Sequence, residues 1–115
     1  MRRIARVEVW GFWSVEQGRA YLEEFRQKTR PLWGKPWYVL ADTSNFAAQK
    51  PEVGVFIEQT MELAKKHGFV RSANLVSSTL TKMQLARMSA EQNLPEYSFF
   101  KDEAEAIRWL VGPSR

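Results

Sequence analysis

The sequence predicts an α/β domain: a small, mainly parallel sheet covered by amphipathic helices. Three observations carry this reading. A strand-like run gives way to a helix-like run four times in 115 residues. The intervening helices are of the length that carries a chain across a sheet and back to a parallel neighbour. The second strand-like run, residues 37–41, is almost wholly apolar, which suits a central strand covered on both faces.

The elements follow in order. Residues 4–13 begin with strict alternation, Ile4, Arg6 and Glu8 against Ala5, Val7 and Val9, and are rich in β-branched and aromatic types. Gly11 within this run marks a bulge or a close backbone approach. Ser14 opens a helix as the first member of a capping box with Gln17 three residues on. Val15, Gly18, Tyr21, Leu22 and Phe25 form its inward stripe, and Pro31 ends it. A stiff connector with prolines at 31 and 36 leads into the strand at 37–41. Residues 42–50 read as a polar loop interrupted by Phe46.

Pro51 fits the first position of a second helix, with Glu52 at its positive end. Val53, Phe56, Ile57, Met61 and Ala64 repeat at helical spacing, and Gly68 supplies the stop. Residues 69–77 hold the third strand. Ser77, Ser78, Thr79 and Thr81 offer caps for a third helix running to about Asn93, with Leu80, Gln84, Leu85 and Met88 on or near one face. A short strand at 97–101 precedes the last helix. There Asp102 is the cap, Glu105 completes a second capping box, Ala106, Ile107 and Leu110 point inward, and Gly112-Pro113 terminates. The whole chain, 1–115, reads as a single domain without linker, repeat or low-complexity segment.

Composition narrows the function classes. No apolar run reaches the ~18 residues of a membrane span. No apolar stretch follows the opening arginines, so no signal peptide is expected. Cysteine is absent, which excludes disulfide and thiolate chemistry and fits the cytoplasm. The net charge is +4, but cations and acids are interspersed, and the densest group, Lys65-Lys66-His67, closes a helix whose dipole it complements. This is a solvated surface rather than a nucleic-acid footprint. Five tryptophans exceed what a core of this size calls for, so some are expected to anchor a partner.

Three segments resemble the STAS domains and the wider SpoIIAA-like fold family, closest to its short, stand-alone bacterial STAS/Sec14-like members. Gly11-Phe12-Trp13-Ser14 is similar to that family's glycine, aromatic and cap before the first helix. Val39-Leu40-Ala41-Asp42 is similar to its hydrophobic strand ending in Asp, and residues 99–110 to its closing strand and helix. The resemblance implies four βα turns and a non-enzymatic, cofactor-free signalling role built on protein interaction. It also implies a phospho-switch, carried in the family by a serine at a helix start within an Asp-Ser-Ser-Gly type sequence. The matching place here is Asp42-Thr43-Ser44-Asn45. The glycine is missing, and the helix is expected only from Pro51.

Each remaining candidate has a structural and a chemical reading. Thr43 and Ser44 are phosphate acceptors or members of a turn ordered by Asp42. Asp42 has no second carboxylate assigned to it, so it reads as a loop organiser rather than a general base. His67 is the only histidine, sits at a helix end, and has no nucleophile or acid tied to it by motif. Without cysteines it offers no zinc site. Ser77-Ser78-Thr79 lacks the glycines and lysine of a phosphate loop and reads as a cap. Trp37 is assigned to the core, whereas Trp13, Trp33 and Phe46 are expected to form an exposed binding patch. The sequence thus points to an interaction module that binds a protein partner or itself. A small-ligand or lipid carrier is the alternative, and an enzyme would need convergent titratable groups that no motif announces.

Overall fold

Local signals set the element boundaries. Ser14 Oγ accepts from the Gln17 N–H at 3.2 Å while Gln17 Oε1 accepts from the Ser14 N–H at 2.8 Å, so the first helix starts on a complete capping box. Ser78 caps the third helix through the Thr81 N–H, and Asp102 caps the fourth through Ala104, so the second capping box expected with Glu105 is reduced to a single-sided cap. Pro51 occupies the first turn of the second, and Gly68, at φ +96°, follows its last turn.

The computed structural model of the protein describes residues 3–112. Its elements are β1 (Ile4–Gly11), α1 (Val15–Thr29), β2 (Trp37–Phe46), α2 (Pro51–Lys66), β3 (Phe69–Leu75), α3 (Thr79–Glu91), β4 (Tyr97–Phe100) and α4 (Glu103–Val111). A 3₁₀ turn at Arg30–Leu32 continues α1 to the prolines. All strand pairs are parallel, in the order β1-β2-β3-β4.

Each crossover advances one strand in the same direction. Crossovers of one hand then put α1, α2 and α3 on a single face. There Ala5, Val7, Trp37 and Val39 pack with Phe25, Ala64 and Phe69, and Val9 and Phe46 pack with Ile57, Met61, Leu85 and Met88. The last helix, α4, folds under the other face and buries Ala106 and Leu110 against Leu40, Ala73 and Leu75. β2 is therefore central and covered twice, as its apolar run predicts. α1 lies close against α2, since a Cβ at Gly18 would stand 3.0 Å from Phe56 Cδ2.

Other expectations change as well. β2 runs on to Phe46 instead of ending at Ala41, because the β1 ladder continues: Glu8, Trp10 and Gly11 pair with Asp42, Asn45 and Phe46 across a bulge. Pairing overrides the low strand propensity of Asp, Ser and Asn. Leu80 is 69% exposed, because Thr81, one residue on, faces inward and donates to the Phe46 carbonyl. Ile107 lies on the flank of α4, with Ala106 and Leu110 taking the inward positions. α3 ends at Glu91, with Asn93 turning at φ +54°. Pro113 lies outside the described residues.

Candidate functional site

The Asp42-Thr43-Ser44 segment sits in the β2 bulge, at the carboxyl end of the strand. Asp42 Oδ1 accepts from the Ser44 N–H at 3.0 Å, the backbone-ordering role its loop reading assigned. The Thr43 hydroxyl is buried and donates to the Leu75 carbonyl. Ser44 is half-buried, and its carbonyl accepts from the Ser77 hydroxyl. The segment is strand, seven residues ahead of the α2 start at Pro51, counted from Ser44. The ladder also supplies a carboxylate that sequence reasoning missed, for Glu8 is the cross-strand neighbour of Asp42. Arg6 stands with them and is bound to Glu103 at 2.7 Å. That hydrogen bond, with the charges of Glu103, Asp42 and Glu8, raises the Arg6 pKa against a smaller desolvation.

The expected aromatic patch divides. Phe46 is only 4% exposed, packed edge-on against Trp13 at 4.8 Å between ring centroids. Trp13 is half-buried between Phe46 and Tyr21, and its indole N–H donates to the Trp10 carbonyl. Trp33 lies flat on His67 at 3.5 Å. Phe46 turns inward because the extension of β2 carries it onto the helix-covered face. The side chains left outside are Trp10 (65% exposed) and Phe12 (56%), with Leu80 and Met83 (63%) on the first turns of α3. Val55, near the start of α2, is exposed as well. All five lie where strands end and helices begin.

One buried residue ties this rim together. Gln49 accepts from the Trp13 N–H at 2.8 Å and donates to the Gly11 and Ala47 carbonyls. Its backbone exchanges two 2.8 Å hydrogen bonds with the Gln84 side chain of α3. Lys50, the next residue, holds its ammonium 5.6 Å from the Phe12 ring centroid. Phe12, Lys50, Gln84 and, one turn before Gln84, Leu80 thus form a connected seam. Sequence carried a signal for Trp10, which falls on the Ile4/Arg6/Glu8 side of the alternation, the α4 side of the sheet, where it stays 65% exposed. Nothing local marked Gln49.

The other candidates resolve simply. Desolvation, then the charges of Lys66 and Arg26, lower the His67 pKa, and its backbone carbonyl accepts from Trp37 Nε1. Ser77, Ser78 and Thr79 lead into α3 beside Lys82 and Lys101, with Ser78 as the cap. Among the described residues no cluster of His, Asp and Glu is placed to hold a metal ion, and no helix is long and apolar enough to cross a membrane.

A cavity of about 70 Å³ lies between the sheet and α2. It exists because the inner face of the central strands carries small residues, Ala41 and Thr43 on β2 and Ser72 and Asn74 on β3, where larger apolar ones would fill the space. Ile57, Thr60 and Met61 form the roof. The short polar groups are spent locally: Ser72 Oγ donates to Asn74 Oδ1, Asn74 Nδ2 to the Ser72 and Ser98 carbonyls, and Thr60 to Phe56. Tyr21 and Tyr97 also line it. Every fully enclosed side-chain nitrogen or oxygen of the described residues has a partner; both tyrosines keep some accessible surface, and neither phenol oxygen is paired with another described residue. Burial pushes both phenols far above the usual range; Glu24 adds to the effect at Tyr21, and Tyr21 to that at Tyr97. At ~24 cal/mol per Å³, such a void costs about 1.7 kcal/mol. A guest that fills the space and accepts from both phenols would offset that cost.

The chain matches no family model, no curated protein and no solved structure.

Proposed function

We propose that this chain is a STAS-like interaction domain that binds a protein partner through the apolar seam at the carboxyl rim of its sheet. The observation that carries the reading is the concentration of Trp10, Phe12, Leu80 and Met83, all more than half exposed, at that one end. Exposed apolar side chains gathered at one end of a domain mark an interface, and tryptophan is enriched among energetic anchors. Lys50 against Phe12 gives the seam a polar border. The Gln49–Gln84 hydrogen bonds hold its two halves in register, so little ordering entropy remains to be lost on docking. The small-ligand reading takes second place, since about 70 Å³ is far below the ~300–1,000 Å³ of an ordinary ligand pocket and cannot admit a lipid chain. A phosphate on Thr43 would first have to break its buried bond to Leu75, so the seam rather than that segment carries the proposal.

The test is native mass spectrometry of the protein isolated from its own cells, beside a Trp10→Ser/Phe12→Ser/Leu80→Ser variant. A stoichiometric protein partner or second copy on the wild type, lost in a variant of unchanged thermal midpoint, is the expected result. A wild type that leaves the cells as a bare monomer overturns the reading.

A further inference from the structure

The cavity under α2 has the composition of a binding site. No Asp, Glu, Lys, Arg or His lines it, so a charged guest would be desolvated without a counter-ion. The hydroxyls of Thr43 and Thr60 already donate to backbone, and the Ser72 hydroxyl and Asn74 amide are committed to each other and to the Ser72 and Ser98 carbonyls. The donors left are two phenols, on α1 and on β4, brought to the same volume on the helix-covered face of the sheet. The core splits around them: one cluster packs on Phe25 and Trp37, the other on Ile57 and Met88, with Tyr21 and Leu94 touching both.

We propose that this cavity binds one compact, uncharged, oxygen-bearing molecule, held by donation from the Tyr21 and Tyr97 hydroxyls. The site goes beyond the rim interface and does not depend on it. Its apolar walls accept a small hydrocarbon body, the phenols orient a carbonyl or ether oxygen, and the volume excludes anything with an acyl chain. The small residues of β2 and β3 set the size limit.

The site is tested with cyclopentanone as the probe, followed by ¹³C-methyl NMR of the methionines. Met61 lines the cavity and is the reporter, and the exposed Met83 is the internal control. Cyclopentanone should shift Met61 saturably and leave Met83 unmoved. Methylenecyclopentane, the same shape without an acceptor, should bind roughly tenfold more weakly, as the loss of two hydrogen bonds implies. Cyclopentanecarboxylate should not bind. A Tyr21→Phe/Tyr97→Phe variant should erase the preference for the ketone while keeping the hydrocarbon affinity. If that variant fails to fold, the ketone-to-alkene ratio in the wild type decides alone. No saturable Met61 shift, equal binding of ketone and alkene, or binding of the carboxylate overturns the proposal.

Discussion

Truncating Arg71 should destabilise the protein by about 2–4 kcal/mol, almost all of it through the end of α4. Arg71 lies on β3 with its side chain 6% exposed, under the last turn of that helix. Its Nη1 donates to the Trp109 carbonyl at 2.9 Å and the Gly112 carbonyl at 3.2 Å, with Leu110 at the 3.5 Å limit. These are carbonyls a helix C-terminus leaves without partners, and a cation there also complements the dipole. Hydrogen bonds from a charged donor contribute ~1.5–3 kcal/mol each. Two good ones set a gross loss of about 3–6 kcal/mol, reduced because Arg71→Ala removes the cost of burying a guanidinium and lets water reach the helix end. The ion pair to Glu96, at 3.4 Å with Glu96 half exposed, adds at most ~1 kcal/mol. Urea unfolding followed by tryptophan fluorescence measures the total, and hydrogen exchange of the α4 amides localises it. Glu96→Gln should cost far less than Arg71→Ala. Equal costs would mean that the ion pair, not the carbonyl cradle, is what matters, and an Arg71→Ala change under about 0.5 kcal/mol would refute both.

Three further outcomes follow from the packing and the titratable groups. Leu40→Ala, at a 4%-exposed position between β2 and α4, should cost ~2–5 kcal/mol in the same urea assay. His67 is lowered from its ordinary 6.5 in the folded state, so the unfolded chain binds its proton first as pH falls. Its contribution is fully present above 6.5 and is lost as pH drops toward the lowered folded pKa; His67→Gln should remove that slope from thermal midpoints measured between pH 7.5 and 5. Tyr21 and Tyr97 are raised above 10.0, so their contribution is lost as pH climbs past 10 and the unfolded phenols ionise; absorbance titration should find two of the three tyrosines ionising only on unfolding.

The fold was legible wherever local chemistry decided the outcome. Ser14 with Gln17, Pro51 and Gly68 mark helix ends through bonds or φ values set within a few residues, and the structure realises them. It was illegible wherever a partner decided. Residues 42–46 have loop composition, and only the neighbouring β1 makes them strand. Phe46 follows from that, since a residue placed on a strand rather than in a loop acquires a face. Leu80 and Ile107 obey helical spacing but lie one position from the true inward line, and the rotation of a short helix is set by tertiary contacts such as Thr81 to Phe46. The candidate site was half visible. The rim was the expected place and tryptophan the expected type, yet Trp10 and Phe12 took the exposed positions assigned to Trp13 and Phe46. The polar inner face of β3, Ser72 and Asn74, takes its meaning only with Tyr97 from β4 beside it.

The strand order explains why this α/β domain places its features as it does. A doubly wound sheet reverses direction once, and helices leaving adjacent strands toward opposite faces open the crevice in which cofactors bind. Here the order is 1-2-3-4 without reversal, and α1 to α3 crowd one face. The rim closes instead, stitched by Gln49 to the end of β1, to Trp13 and to α3 at once. A closed rim leaves two places for recognition: the outer surface of the rim, where apolar side chains gain by being covered, and the interior under the middle helix, where small residues on the central strands leave room. The first suits a macromolecule and the second only a compact guest, and each can be altered by substitution without touching the other, since Trp10, Phe12 and Leu80 do not line the cavity and Tyr21 and Tyr97 do not reach the seam.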